Sequence, residues 1–217
     1  MIVIGLTGSI GMGKTAAARA FARMGLPVHD SDAAVHRLFA RGGAAVGPVG
    51  EAFPEAIRDG TVDRTILGEL VFNNPDALGR LETIVHPLVH RESLAFLRRC
   101  AACRETLAVL DVPLLFEVKR ESDCDLVVLV TAPAFVQAQR VLRRPGMTEQ
   151  RLADIRSRQM RDAEKRRRAD FIVQTGLDRR ETLRALSHIV KLAREGHWRA
   201  GSTGFCRARN GRRRNHA

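Results

Sequence analysis

The sequence predicts an α/β fold, a parallel sheet flanked by helices, on three observations. An apolar run, Ile2-Val3-Ile4-Gly5-Leu6, leads through a glycine-rich turn into an alanine-rich helical segment, Ala16 to Met24. Two further runs, Leu107 to Asp111 and Cys124 to Thr131, are almost continuously aliphatic, the pattern of strands buried on both faces. Hydrophobic content is 45% and aromatic content only 5%, which suits a largely aliphatic core.

The turn reads Gly8-Ser9-Ile10-Gly11-Met12-Gly13-Lys14-Thr15, the Gly-x-x-x-x-Gly-Lys-[Ser/Thr] spacing of a phosphate-binding loop in its required strand–turn–helix setting. Gly8, Gly11 and Gly13 permit backbone conformations and close approaches that a Cβ would block. Successive amides can then ring a phosphate at the positive end of the helix. Lys14 supplies a point charge for the β and γ phosphates of ATP, and the Thr15 hydroxyl is placed to ligate Mg²⁺.

Leu26 to Asp30 reads as a second short strand, followed by Ser31-Asp32. Acids at the carboxyl end of a parallel strand lie where α/β sheets hold ligands. Asp32 can take a proton from an attacking hydroxyl or orient metal-bound water, while Asp30 or Ser31 caps a helix over Ala33–Ala40. Arg41 to Gly60, broken by Gly42-Gly43, Gly47-Pro48, Gly50, Pro54 and Asp59-Gly60, reads as loop. Asp63 to Phe72 is helical, with Ile66, Leu67, Leu70 and Val71 on one face. Asn74-Pro75 starts a further helix that bends near His86-Pro87 and runs toward Arg104. These residues form a helical lobe for the second substrate. His86 reads either as a core or capping imidazole or as a substrate contact.

Asp111, ending its strand, has the form of a Walker B acid that reaches the metal through water. Val112-Pro113-Leu114-Leu115-Phe116-Glu117 follows it. Pro133 opens a helix, Phe171-Ile172-Val173 is a last strand, and Arg180 to Arg194 is a last amphipathic helix. Between them Gln137 to Arg168 is helical, interrupted at Pro145-Gly146, and strongly basic. A lid closing here would bring an arginine onto the transferring phosphoryl group and exclude water. Arg140 and Arg144, one helical turn apart, are the candidates.

The formal charge of +12 is local. Residues 137–168 carry eleven Lys or Arg against four acids, and 204–217 carry five Arg and no acid, which accounts for the whole excess. A neutral body with one basic stretch fits an anion site, and no specific nucleic-acid partner is expected. No run approaches the length of a membrane span, and the N-terminus starts directly on a strand, so a cytoplasmic protein without membrane attachment is expected. The four cysteines are too few and scattered for a disulfide framework, and Cys100 and Cys103 lack a second pair for zinc. Residues 1–200 are read as one domain: a core from 1–30, 105–136 and 169–196, a substrate lobe from about 31–104, and a lid over about 137–168. The Gly-, Ser-, Asn- and Arg-rich segment 201–217 is read as a disordered basic tail. A guanine-specific switch would need Asn-Lys-x-Asp, and the chain contains none.

Several segments in order resemble dephospho-CoA kinases: Ile4 to Thr15, Asp30-Ser31-Asp32 with His36, His86-Pro87-Leu88-Val89, Val112 to Glu117, Gln159-Met160, Lys165 and Ala169-Asp170. The resemblance spans about 1–195. It implies a five-stranded P-loop kinase core that phosphorylates the ribose 3′-hydroxyl of dephospho-CoA with ATP, the last step of CoA synthesis. It further implies that Gly11 to Ala16 hold the ATP phosphates and Thr15 holds Mg²⁺. By the same resemblance Asp32 is the base, Arg140 the lid arginine with Arg144 beside it, and His86, Pro87 and Leu114 serve the acceptor. Met12 and Ala16 replace smaller or hydroxylated residues common in the family, with no loss expected, since the backbone forms the cradle. Gln174-Thr175-Gly176 stands where many relatives read Asn-x-Gly, so adenine contacts are not carried over to that turn. Another small-molecule P-loop kinase with a different acceptor is the alternative.

Overall fold

The structure is a computed structural model that describes residues 1–72, 74–176 and 178–199. The expected tail, 201–217, lies outside the described residues. The chain divides into two compact units, one made of Met1–Val28 with the chain from Arg104 onward, the other of His29–Cys103.

The first unit is built on the sheet. β1 (Ile2–Thr7), β5 (Leu107–Asp111), β6 (Leu126–Thr131) and β7 (Phe171–Gln174) lie in this unit and, with β2 (Val28–Asp30), of which only Val28 does, form five strands in the order β2-β5-β1-β6-β7. β1 is parallel to both neighbours, with Ile4 opposite Val109 on one side and Leu126 on the other, and β6 is parallel to β7. β5 and β6 are buried at every position, which is why they read as unbroken aliphatic runs. α1 (Lys14–Arg23) and α9 (Arg179–Glu195) contribute Ala17, Ala20 and Phe21, and Leu186, Ile189 and Val190, to a core with Ile4, Leu6, Val109 and Val128. At the amino end of the sheet, Asp125 accepts a hydrogen bond from the Val3 amide at 2.8 Å and Asp170 from the Val127 amide at 2.7 Å. Each carboxylate takes up an amide near the start of its strand. α6 (Ala134–Leu142), α7 (Glu149–Arg158) and α8 (Asp162–Arg168) occupy the basic stretch, broken at Pro145-Gly146 as its sequence predicts.

The second unit contains α2 (Ser31–Phe39), α3 (Val46–Ala52), α4 (Arg64–Phe72) and α5 (Pro75–Ala102). Asn74 caps α5 by accepting from the Ala77 amide at 3.0 Å. The helix continues through Pro87, whose missing N–H removes one bond from the ladder without ending it. Cys100 is buried on α5 and Cys103 is exposed at its end; neither is in a disulfide. The reading of 41–60 as loop is corrected: it holds α3, a 3-10 turn at Pro54–Ala56 and a hairpin of β3 (Ile57–Arg58) and β4 (Thr61–Val62). Pro48 sits in the first turn of α3, where its lost donor costs nothing. Val49, Ala45, Phe53 and Ala56 then bury with Leu38, Leu67 and Leu88, so tertiary packing overrides a glycine-rich local sequence.

Candidate active site

The glycine-rich turn leaves β1 at its carboxyl end, in the middle of the sheet, with β5 and β6 on either side. The chain crosses from one side of β1 to the other between β5 and β6, which makes this a topological switch point. Gly8 is required by contact: a Cβ there would lie 2.6 Å from Val130 Cγ2 and 2.7 Å from the Val130 carbonyl oxygen. Gly11 and Gly13 are required by conformation, at φ 74° and 88°, and Gly13 is the cap residue of α1. The amides of Gly11, Gly13, Lys14 and Thr15 make no hydrogen bond among the described residues. They are the orphan donors of a helix start, gathered in one turn.

Met12 points inward, 5% exposed, and its Sδ accepts from the Ala132 amide at 3.0 Å. The side chain therefore serves the core, a role beyond the backbone cradle. Lys14 Nζ lies 2.7 Å from Oδ1 of Asp111, which is 3% exposed at the end of β5. Lys14 and the Walker B acid Asp111 are thus brought together. Thr15 and Ala16 are exposed on the first turn of α1. The Thr15 hydroxyl and the Asp111 carboxylate are both hard oxygen donors, the type that fits Mg²⁺.

The basic helices grip this turn from outside. A Cβ on Gly11 would meet Val141 Cγ2 at 2.6 Å, so α6 lies directly against the loop. Gln137 Nε2 donates to the Ile10 carbonyl at 2.8 Å, and the Ile10 amide donates to Gln159 Oε1 at 3.2 Å. Arg156 Nε and Nη2 donate to Gln137 Oε1 at 3.0 and 2.6 Å. Arg140 donates through Nη1 to the Gly11 carbonyl at 3.3 Å and the Thr175 hydroxyl at 3.2 Å, and through Nη2 to the Thr175 carbonyl at 2.7 Å. The Thr175 hydroxyl donates to the Met12 carbonyl at 2.6 Å. Gln137 and Thr175 carry no local sequence signal of this role; their partners lie 127 and 163 positions away. The pairing of Arg140 with Arg144 on one helix face is corrected: α6 ends at Leu142, and Arg144 is exposed beyond its cap.

In the second unit, Asp30 is the α2 cap, accepting from the Ala33 amide at 3.0 Å. This leaves Asp32 exposed in the first turn, with no hydrogen bond or ion pair among the described residues. His86 and Pro87 are exposed on α5, which excludes the core reading of His86. His36 accepts from Arg64 Nη1, 2.6 Å from its Nε2.

A family model described as dephospho-CoA kinase matches residues 2–178. The chain belongs to the dephospho-CoA kinase family. A dephospho-CoA kinase of Rhodospirillum rubrum is 54% identical over 204 residues, covering 92% of this chain and 96% of that protein. One of Paramagnetospirillum magneticum is 60% identical over 166 residues, covering 76% and 78%. Among solved structures, TT1252 of Thermus thermophilus superposes with a TM-score of 0.78 at 34% identity, covering 88% of this chain and 96% of that one. The fold is also that of the dephospho-CoA kinase of Campylobacter jejuni, with a TM-score of 0.67 at 22% identity over 89% and 98%.

Two segments that carry the likeness to dephospho-CoA kinases meet in a buried polar cluster. Lys165 is fully buried on α8, its Nζ 2.8 Å from Glu117 Oε1, and that oxygen also accepts from the Met160 amide at 3.0 Å. Arg168 pairs with Glu121 and lies 4.9 Å over the Phe116 ring. The segment after β5 is thus fastened to the helices behind the phosphate loop. Leu114 is 38% exposed in the same segment.

Proposed function

We propose that the protein transfers the γ-phosphoryl group of ATP to the ribose 3′-hydroxyl of dephospho-CoA, giving ADP and CoA. The observation that carries this reading is the dephospho-CoA kinase match over residues 2–178, which contains the whole phosphate loop. Within the turn Gly11 to Ala16, the open amides of Gly11, Gly13, Lys14 and Thr15 receive the phosphates at the positive end of α1, while those of Met12 and Ala16 bond back to Ser9 and Gly13. Lys14, at rest on Asp111, exchanges that carboxylate for phosphate oxygens when the nucleotide arrives. Thr15 and Asp111, the latter through water, would hold Mg²⁺. When bound, the ion neutralises charge on the β and γ oxygens.

Asp32 accepts the proton of the 3′-hydroxyl as the new O–P bond forms and the bond to the β-phosphate oxygen breaks. Its exposure and lack of a partner among the described residues support this role. Arg140 adds positive charge beside the loop while its bonds to Gly11 and Thr175 fix its place, and Arg144 is assigned to the ATP phosphates. His86, Pro87 and Leu114 are assigned to the acceptor, and the setting to the cytoplasm.

Acceptor-dependent ADP release should appear with dephospho-CoA and stay at background with adenosine, shikimate or pantothenate. Equal release with all four would favour a kinase with another acceptor. Asp32→Asn should lower kcat by about 10²–10⁴-fold with ATP affinity unchanged. An unaltered kcat would remove Asp32 as the base.

A further inference from the structure

We infer that Gln137, locked by Arg156, and Gln159 are positioning residues that set the ATP-binding shape of the phosphate loop by holding the two peptide units that flank the Ile10 Cα, one through the Ile10 carbonyl and one through the Ile10 amide. The inference builds on the phosphate-binding reading of that loop.

Ile10 lies inside the loop, directly before Gly11; its amide belongs to the peptide unit shared with Ser9 and its carbonyl to the unit shared with Gly11, and the orientation of these two units directs the amides that follow. Its carbonyl is taken by Gln137 and its amide by Gln159. Gln137 is 4% exposed, so its amide group has no water to fall back on. The direction of each bond is fixed by chemistry. A guanidinium only donates, so Arg156 forces Gln137 Oε1 toward itself and leaves Nε2 for the Ile10 carbonyl. An amide N–H only donates, so Gln159 must present its oxygen. Position 137 therefore needs a donor toward Ile10, and position 159 needs an acceptor.

Those requirements separate two otherwise identical substitutions. Gln137→Glu keeps the link to Arg156 but turns an acceptor onto the Ile10 carbonyl. Gln159→Glu keeps an acceptor for the Ile10 amide. Both add one negative charge, and the one at 137 is offset by Arg156, so weaker binding by Gln137→Glu than by Gln159→Glu reports the hydrogen bond and not the field.

The measurement is calorimetric binding of the non-hydrolysable analogue AMP-PNP with Mg²⁺, with thermal melting alongside. Gln137→Glu and Gln137→Met should each raise Kd about tenfold, the loss of one hydrogen bond plus an unpaired carbonyl, with melting temperature within a few degrees of wild type. Gln159→Leu should weaken binding similarly, and Gln159→Glu should recover most of that loss. Wild-type affinity in Gln137→Glu, or equal weakening by the two Glu variants, overturns the inference. If the Gln137 variants fail to fold, Arg156→Met, at an exposed position, decides: about a threefold rise in Kd supports the clamp, and no rise overturns it. No acceptor is present in this experiment, so failure of dephospho-CoA as a substrate would be seen separately in turnover.

Discussion

Lys14→Ala is expected to lower kcat by at least about a thousandfold while the protein melts cooperatively near the wild-type temperature. Lys14 is the charge that meets the phosphates, and its effect is greatest when the transferring group carries its charge on non-bridging oxygens. Loss of one such preorganised group costs about 3 kcal/mol or more of transition-state stabilisation. The fold is a separate matter. Lys14 contributes no apolar surface to the core, and Asp111 has a further interaction besides its bond to Lys14. Steady-state turnover with dephospho-CoA checks the first half, and circular dichroism with a melting curve the second. A kcat within tenfold of wild type would mean that the Lys14–Asp111 pair is structural and the phosphates are held by backbone alone.

Glu117→Leu is expected to produce the largest loss of stability, about 3–5 kcal/mol. It strands the Lys165 ammonium at a position with no solvent exposure and removes the acceptor of the Met160 amide. The melting temperature should fall by roughly 10 °C in a chain of this size. Lys165→Met should cost less, because Glu117 retains the Met160 amide and is 17% exposed. Combining the two changes should recover part of the loss, since an apolar pair of similar volume no longer carries a buried charge. Urea denaturation of the four proteins measures the coupling. Additive effects would show that Glu117 and Lys165 do not act as a pair.

The sheet and the phosphate loop were legible because their signals are local. Continuous aliphatic runs mark β5 and β6, and Gly8 to Thr15 compresses strand end, turn and helix start into eight residues. Residues 41–60 were misread because Pro48 and Gly50 argue against a helix locally, while burial of Val49 and Phe53 decides in its favour. Arg140 and Arg144 were paired by spacing alone, which could not reveal that α6 ends at Leu142. Nor could spacing show that Thr175, in the turn after β7, draws Arg140 onto the loop. Met12 read as a tolerated substitution because nothing nearby in sequence discloses its contact with Ala132, 120 positions away. The recurring reason is distance along the chain: pattern reports what neighbours do, and the site is closed by residues that are not neighbours.

Asp125 and Asp170 have an effect beyond satisfying strand-end amides. Their carboxylates occupy donors at one rim of the sheet, while the opposite rim presents Lys14 and the unspent amides of Gly11, Gly13, Lys14 and Thr15. A polyphosphate reaching the sheet therefore finds donors already taken by carboxylates at one edge and donors still open at the other.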